Sequence, residues 1–413
     1  MNGARRYQDR GSRTGRFLST ACAAALITGA MAGCGSMGNP SNGTGDAGTG
    51  GTTSGSGGVP GNGGAGGLTG GGGDTTGTGG GGAPGDCTTP PAASPLVGWA
   101  AMHAMNPSGT TGGDAATPVS VTTTAAFNAS ASGTAARVIY VTGSLTGTFT
   151  IGSNKTVVGL CGAQLHGHVE INKSVNVIVR NIKIVGYGVG DCALDPSFDA
   201  TVGCSSGQDA VSIQGAQRVW FDHDDVSDGT DGNIDITLGA NYVTISWTKF
   251  HYTKRTDSLG SDSTGAAGHR YSNLVGGGDN SPVDVGALNV TWHHDWWADN
   301  VVERQPRVRY GQNHLFNNLY SGSGDNYCVR AGMDAQLLLE DNVFTGVASP
   351  HQFNSTADQA TSFITVNGDV YTATTGTRAI GGGGTPFTSA PYTYVLDDPS
   401  GIQAAIQGGA GPQ

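Results

Sequence analysis

The sequence predicts an all-β protein folded as a right-handed parallel β-helix. Short segments rich in Val, Ile, Trp and Tyr recur along the chain, and each is bounded by Gly, Asn, Asp or Ser. Their spacing clusters near one or two units of about 23 residues, a repeat length typical of solenoids. No long helical pattern intervenes, and the regular spacing favours a β-helix over an antiparallel sandwich. The segments are centred on Val177, Val219, Val243, Val290, Leu315 and Leu338.

Asparagines follow several of these segments, at Asn181, Asn317, Asn318 and Asn342. Asparagine tolerates left-handed backbone, and its side chain forms hydrogen bonds with neighbouring backbone at turns. Because equivalent turns of a solenoid stack, we expect a structural ladder of asparagines inside the coil.

Composition divides the chain into three regions. Residues 1–33 combine arginines with an apolar run, and this pattern predicts an export signal. The apolar run is too short to span a bilayer comfortably. This region ends at Met31-Ala32-Gly33-Cys34, which resembles a bacterial lipobox and predicts cleavage before Cys34 and a lipid on its thiol. Ordinary signal cleavage is the alternative. Residues 34–95 are rich in Gly, Ser and Thr and predict a flexible linker, leaving 96–413 for one folded domain.

The charge and the cysteines limit the possible partners and the compartment. The formal net charge is −11 at pH 7, and the chain has no basic stripe of the kind that a nucleic-acid-binding protein needs. An exported protein can form disulfides. Cys192 and Cys204 bracket a short insertion, so we expect them to pair. The partners of Cys87, Cys161 and Cys328 are not assigned by the sequence.

Three aspartates form a candidate metal site. Asp231 and Asp235 are four residues apart, and Asp209 lies about one repeat earlier. In a solenoid this spacing brings the three carboxylates together on neighbouring turns. Ca²⁺ accepts six to eight oxygen ligands in irregular geometry, so the cluster predicts a calcium site.

The segment Arg304-Gln305-Pro306-Arg307-Val308-Arg309 is a candidate anion-binding motif. Proline fixes its own backbone and restricts the orientation of its neighbours. Arginine binds carboxylates through a planar fork. The motif therefore predicts recognition of an acidic ligand, although solubilising surface arginines would have the same sequence.

These motifs, together with Val219-Trp220-Phe221-Asp222-His223, resemble the core of the family 1 pectate lyases. The resemblance implies a pectate lyase-like β-helix and implies that Asp209, Asp231 and Asp235 bind Ca²⁺. A fourth calcium carboxylate of some members would fall at Gly207.

The resemblance also implies roles for the basic residues. Arg304 matches the arginine that removes the C5 proton of a galacturonate residue, and Arg309 matches a substrate-binding arginine. The family's substrate-binding lysine corresponds to Arg255, beside Lys254, and either side chain is a candidate. Arginine normally stays protonated, so proton removal by Arg304 requires alkaline conditions or a site that disfavours its charge.

The implied function is calcium-dependent cleavage of α-1,4-polygalacturonate by β-elimination, which leaves unsaturated oligogalacturonides. We expect a secreted monomer, held at a bacterial outer membrane through the lipid on Cys34, with no nucleic-acid partner.

Three other functions remain open. A pectin lyase would prefer methylated substrate and lack the calcium carboxylates. A glycoside hydrolase would use paired acids, for which Asp224-Asp225 is the candidate. A non-catalytic surface module would bind a polysaccharide without turnover. His293-His294-Asp295 suggests zinc, but it lacks the helical His-Glu-x-x-His arrangement.

Overall fold

Strands one turn apart pair in parallel throughout the computed structural model, which describes residues 88–102, 109–188, 192–253 and 269–413. These residues belong to one compact unit, Thr78–Gln413. Val219 lies opposite Val243, and Val243 lies opposite Val290, so the segments predicted to be equivalent do stack. The predicted parallel β-helix is confirmed, and one complete turn of the coil is called a rung below.

Three stacks of strands form the faces of the coil. Two long strands, β2 (Arg137–Thr150) and β3 (Lys155–Asn172), contribute to all three faces. The first face also contains β1 (Val119–Val121), β4 (Val175–Arg180), β7 (Gln217–Asp222), β10 (Asn241–Ser246), β13 (Val290–His293), β16 (Gln312–Phe316), β19 (Gln336–Glu340) and β22 (Phe363–Asn367).

The second face contains β5 (Lys183–Val185), β8 (Asp225–Ser227), β11 (Lys249–His251), β14 (Trp296–Trp297), β17 (Leu319–Tyr320), β20 (Val343–Thr345) and β23 (Val370–Thr372). The third face contains β6 (Val211–Gln214), β9 (Ile234–Thr237), β12 (Asn273–Val275), β15 (Arg307–Val308), β18 (Val329–Ala331) and β21 (His351–Phe353).

Aliphatic and aromatic stacks fill the interior. Trp297, Tyr320, Phe344 and Tyr371 occupy equivalent positions on successive rungs of the second face. Their ring centroids are separated by 4.7, 4.2 and 5.4 Å, with nearly parallel planes. Stacked aromatic pairs add about 0.5–1.5 kcal/mol each beyond the burial of their area.

The predicted ladder of side-chain amides is present between the first and second faces. Asn318 Oδ1 accepts a hydrogen bond from the backbone N–H of Asp295 at 2.9 Å, and Asn342 Oδ1 accepts one from Asn318 at 3.1 Å. Asp295 and Asp369 extend the ladder in both directions, by accepting from Thr248 and Asn342. Asn181 and Asn317 lie outside the ladder but have the expected left-handed backbone, with φ of 57° and 51°.

Additional segments cover two of the three faces. On the first face, the backbone N–H of Trp99 donates to Thr291 Oγ1 at 2.9 Å, and the Tyr392 hydroxyl lies 2.8 Å from His314 Nδ1. Helix α3 (Pro399–Gly409) covers the second face through Ile402 and Ile406. On the third face, the outward side chains of Leu274, Arg307, Arg330 and Gln352 are partly exposed. Two shorter helices, α1 (Thr124–Ala131) and α2 (Thr356–Thr361), complete the fold.

Where the structure describes the cysteines, their pairing agrees with the prediction made from the sequence. Cys192 and Cys204 form the predicted disulfide, and Cys161 is also disulfide-bonded. Cys328 is buried and reduced. The predicted export signal, Cys34 and most of the linker lie outside the described residues, and no described helix has the length and apolarity to cross a membrane.

Candidate metal and substrate site

The open third face presents a row of side chains on successive rungs. Because alternate residues of a strand point in opposite directions, Ile234 and Ile236 of β9 point into the core and Asp235 points outward. Strand register continues the row from Ser212 through Asp235, Leu274, Arg307, Arg330 and Gln352. The row therefore changes from acidic to basic within two rungs.

The three predicted metal ligands converge at the acidic end of this row. One carboxylate oxygen each from Asp209, Asp231 and Asp235 lies within 4.8 Å of the others. Ser212 Oγ donates to Asp209 Oδ2 at 3.0 Å, and His269 Nε2 lies 2.8 Å from Asp231 Oδ1. The Oδ1 atoms of Asp209 and Asp235 are buried and have no hydrogen-bond partner among the described residues.

Burial and mutual repulsion destabilise the charges of this cluster. Burial raises the pKa of Asp209 well above its usual value, and repulsion from Asp235 and Asp231 raises it further. Burial also raises the pKa of Asp235, to about 7, with attraction to Arg304 opposing and repulsion from Asp231 adding to the shift. Unpartnered, hard oxygen donors in this arrangement fit a divalent cation such as Ca²⁺.

Arg304 reaches the acidic cluster from the turn that precedes β15. Its Cζ atom lies 4.4 Å from the centroid of the Tyr271 ring, and its Nε is buried without a hydrogen-bond partner among the described residues. Burial lowers the pKa of Arg304, but attraction to Asp235, to Tyr327 and to Asp231 outweighs burial and raises the pKa. The carboxylates of the cluster therefore hold Arg304 as a cation.

Arg307 and Arg309 lie beyond Arg304 along the same face. Arg309 Nε donates to Asp279 Oδ1 at 2.6 Å, and its Nη1 donates to the Gly276 carbonyl at 2.8 Å. Burial lowers the pKa of Arg307, and repulsion from Arg309 lowers it further. Arg307 lies on the third face without a hydrogen-bond partner for its Nε among the described residues, whereas Arg309 already has a carboxylate partner.

The other predicted positions have different outcomes. Lys254 and Arg255 fall in residues 254–268, outside the described residues. At Gly207, a Cβ atom would lie 2.1 Å from Thr230 Cγ2 and 2.9 Å from Asp195 Oδ2. A carboxylate side chain at position 207 would therefore clash with Thr230, and the cluster has three carboxylates there rather than four.

The alternative acid pair and the suggested zinc site have structural roles. Asp224 is fully buried and accepts from the Ile182 backbone N–H at 3.0 Å, whereas Asp225 points outward and lies 2.7 Å from His251 Nε2. The two carboxyl groups therefore point to opposite sides of the chain. Asp295 belongs to the interior ladder, so it does not join His293 and His294 in a metal site.

Four residues of the site were not identified from the sequence. His269 contacts Asp231, Tyr271 lies against Arg304, and the Arg330 guanidinium lies 3.4 Å from the Tyr327 ring centroid. Arg330 could have been found from the repeat, because it lies one unit of about 23 residues after Arg307. His269 and Tyr271 follow residues 254–268, where the sequence has no strand-like segment, so the repeat does not define their register.

A parallel β-helix that presents a carboxylate cluster and a row of arginines on one open face defines the class of β-helical polysaccharide lyases. The pectate lyase family model matches residues 86–405 of the chain. Pectate lyase B from Colletotrichum gloeosporioides is 35% identical over 315 residues, covering 73% of this chain and 83% of that protein. Pectate lyase A from Aspergillus niger is 34% identical over 316 residues, covering 73% and 84%.

Solved structures agree with this assignment at the level of the fold. The crystal structure of a pectate lyase from Bacillus sp. N165 in complex with trigalacturonate matches with a TM-score of 0.59 at 21% identity, covering 76% of this chain and 98% of that one. The major allergen of cedar pollen also matches with a TM-score of 0.59, at 21% identity, covering 77% and 93%. The chain belongs to the pectate lyase family.

Proposed function

We propose that this protein is a calcium-dependent pectate lyase that cleaves α-1,4-polygalacturonate by β-elimination to unsaturated oligogalacturonides. The observation that carries the proposal is the position of Arg304 beside Asp209, Asp231 and Asp235. A cluster with unpartnered carboxylate oxygens and a buried guanidinium share one open face. Cation binding and proton removal can therefore act on the same sugar residue.

The aspartate cluster would hold the calcium ion. When bound, Ca²⁺ would supply positive charge that offsets the carboxylates, binds a uronate carboxylate and acidifies the neighbouring carbon. The pectin lyase alternative is disfavoured by these three carboxylates.

Arg304 is the proposed base for the C5 proton. The attraction of Asp235, Tyr327 and Asp231 is what raises the pKa of Arg304, while burial acts in the opposite direction. Once the charges of the carboxylates are offset, burial and the nearby cation Arg307 favour the neutral guanidine. Alkaline conditions further increase the fraction of Arg304 that can accept the proton.

The remaining arginines would bind substrate carboxylates and stabilise the negative charge that develops on the uronate. Arg307 and Arg330 lie on adjacent rungs, about 4.8 Å apart. The Tyr327 ring stacks against Arg330, which restricts the orientation of its guanidinium. Arg309 joins this group if its bond to Asp279 opens, and Lys254 or Arg255 is a further proposed contact.

The location of the enzyme is proposed from residues 1–95. An arginine-rich start, an apolar run and the lipobox-like Met31–Cys34 support export and lipid attachment at Cys34. We therefore propose an extracellular monomer tethered to a bacterial outer membrane by its Gly-rich linker. Labelling of the wild type with a radioactive fatty acid, and its loss in Cys34→Ala, tests this separately from the activity.

The test of the function is ultraviolet absorbance during digestion of polygalacturonate at alkaline pH, with Ca²⁺ or with a chelator. We expect a rise from the new carbon–carbon double bond that is lost with chelator and in Arg304→Ala. Arg137→Ala, which removes an exposed arginine of the first face, is the matched control and should retain activity. Chain shortening without an absorbance rise would indicate hydrolysis, and binding without shortening would indicate a non-catalytic module.

A further inference from the structure

A pair of aromatic side chains connects the carboxylate cluster to Arg304. His269 and Tyr271 lie on the rung between the acidic strand β9 and the arginine-bearing strand β15. Because they are two residues apart in extended chain, they face the same side. Their ring centroids are 4.1 Å apart, and the two residues are only 6% and 8% exposed.

His269 fixes one side of the acidic cluster. Its Nε2 lies 2.8 Å from Asp231 Oδ1 and 3.0 Å from the Asp231 carbonyl oxygen. An N–H at this position donates to the Asp231 carboxylate and holds it in one rotamer. Hydrogen bonds of this kind orient metal-binding carboxylates and increase metal affinity.

Tyr271 fixes the other side, where the guanidinium lies. The Arg304 Cζ atom is 4.4 Å from the Tyr271 ring centroid, and Arg304 Nε has no hydrogen-bond partner among the described residues. The ring therefore provides a direct contact where a hydrogen bond to Nε is missing. The Tyr271 backbone is itself anchored, because its carbonyl accepts from the Tyr252 hydroxyl at 2.7 Å.

We propose that His269 and Tyr271 are positioning residues that together set the distance between the carboxylate cluster and the Arg304 guanidinium. This inference rests on the proposed function, because Asp231 and Arg304 act there as metal ligand and base. Neither aromatic side chain takes part in bond making or breaking. His269 acts through Asp231, and Tyr271 acts through Arg304.

Two variants of Tyr271 test the contact with Arg304. Tyr271→Leu removes the π face and is expected to lower kcat about tenfold to hundredfold, the loss typical of a misplaced catalytic group, with KM within about twofold of wild type. Tyr271→Phe keeps the ring and should retain kcat within about threefold. Equal losses in both variants, or no loss in Tyr271→Leu, would overturn the role of the ring.

A binding measurement tests the contact with Asp231 independently of turnover. Calcium titrated into His269→Leu by calorimetry, without substrate, should bind about tenfold to hundredfold more weakly than to wild type. Tyr271→Leu should bind calcium as wild type does, because its effect is on Arg304. Unchanged calcium affinity in His269→Leu would refute the inference. A wild type that binds calcium but forms no unsaturated product would refute the proposed function, leaving this calorimetric result valid.

Discussion

Replacement of Asp295 by asparagine is predicted to stabilise the protein, and increasingly so as the pH rises. Asp295 is completely buried in the side-chain ladder, where its Oδ1 accepts from the Thr248 N–H at 2.9 Å. Its Oδ2 is buried and has no partner among the described residues. On the next rung the equivalent Asn318 uses its Nδ2 to donate to the Trp292 carbonyl at 3.0 Å. The carbonyl in register for Asp295 is that of Ile245.

The sign and size of the effect follow from the raised pKa. Burial raises the pKa of Asp295 well above its usual value, against the hydrogen bond from Thr248. The folded protein therefore keeps a proton that the unfolded chain loses above about pH 4. Between about pH 4 and the folded-state pKa of Asp295, each pH unit lowers the free energy of unfolding by about 1.4 kcal/mol. Above that pKa the loss of stability stays constant. The Asp295→Asn variant avoids this penalty and gains about 1 kcal/mol from the additional hydrogen bond.

Urea denaturation of wild type and Asp295→Asn at several pH values from 4 to 8 measures this difference. The two midpoints should separate as the pH rises. The reverse substitution, Asn318→Asp, is the matched control, since it introduces the same acid one rung away and should destabilise increasingly with pH. A difference between wild type and Asp295→Asn that is independent of pH, or a destabilised Asp295→Asn, would refute the argument that Asp295 is a neutral acid.

Three further predictions concern the open face and its surroundings. Arg330→Ala should raise KM for long polygalacturonate about fivefold while kcat stays near wild type. A change of about fivefold corresponds to the loss of one charged hydrogen bond that is partly exposed to solvent. Equal KM values in the variant and the wild type would exclude a substrate contact. Calcium at 100 times its Kd should stabilise the wild type by about 2.7 kcal/mol at pH 8. This gain should shrink as the pH falls through about 7, where Asp235 binds a proton, and calorimetric scans should show none in Asp235→Asn. Gly207→Ala should lose about 1–3 kcal/mol in thermal unfolding because its Cβ would lie 2.1 Å from Thr230 Cγ2 and 2.6 Å from Thr230 Cβ. Thr230→Ser removes the methyl but keeps the Cβ, so it should restore only part of the loss.

The repeat made the fold predictable from the sequence. Val219 and Val243 are one repeat unit apart in the sequence and pair in register on adjacent rungs. Val290 lies two units after Val243 in the sequence, yet it pairs directly with Val243, so that interval is one rung with a long insertion rather than two rungs. The same spacing located the carboxylate cluster, because Asp209 and Asp231 come from adjacent rungs. Where the sequence keeps the repeat of about 23 residues, positions one repeat apart are neighbours on adjacent rungs. The sequence alone therefore predicts those long-range contacts.

Predictions from the sequence were weaker where the repeat is interrupted. They were also weaker where the same residue type can be either structural or catalytic. His269 and Tyr271 follow residues 254–268, where the sequence has no strand-like segment, so the repeat does not predict that these two side chains lie near Asp231 and Arg304. Asp224 was a candidate hydrolytic acid because the sequence does not distinguish a catalytic aspartate from one that is fully buried and accepts a hydrogen bond from the Ile182 backbone. Only the burial of the position distinguishes the two.

The order of residues along the open face explains how opposite charges remain available to ligands. Asp235 and Arg307 are separated by Leu274, so they lie two rungs, or roughly 9.6 Å, apart along the strand stack. On adjacent rungs they would form an ion pair, which would occupy the carboxylate that a cation needs and the guanidinium that a uronate needs. The apolar side chain of Leu274 keeps the two ends of the row apart. Among the described arginines of this face, Arg304 crosses the gap, because it extends from the turn before β15 rather than from the strand. The proposed cation site and the proposed anion site can therefore coexist on one face, with Arg304 between them.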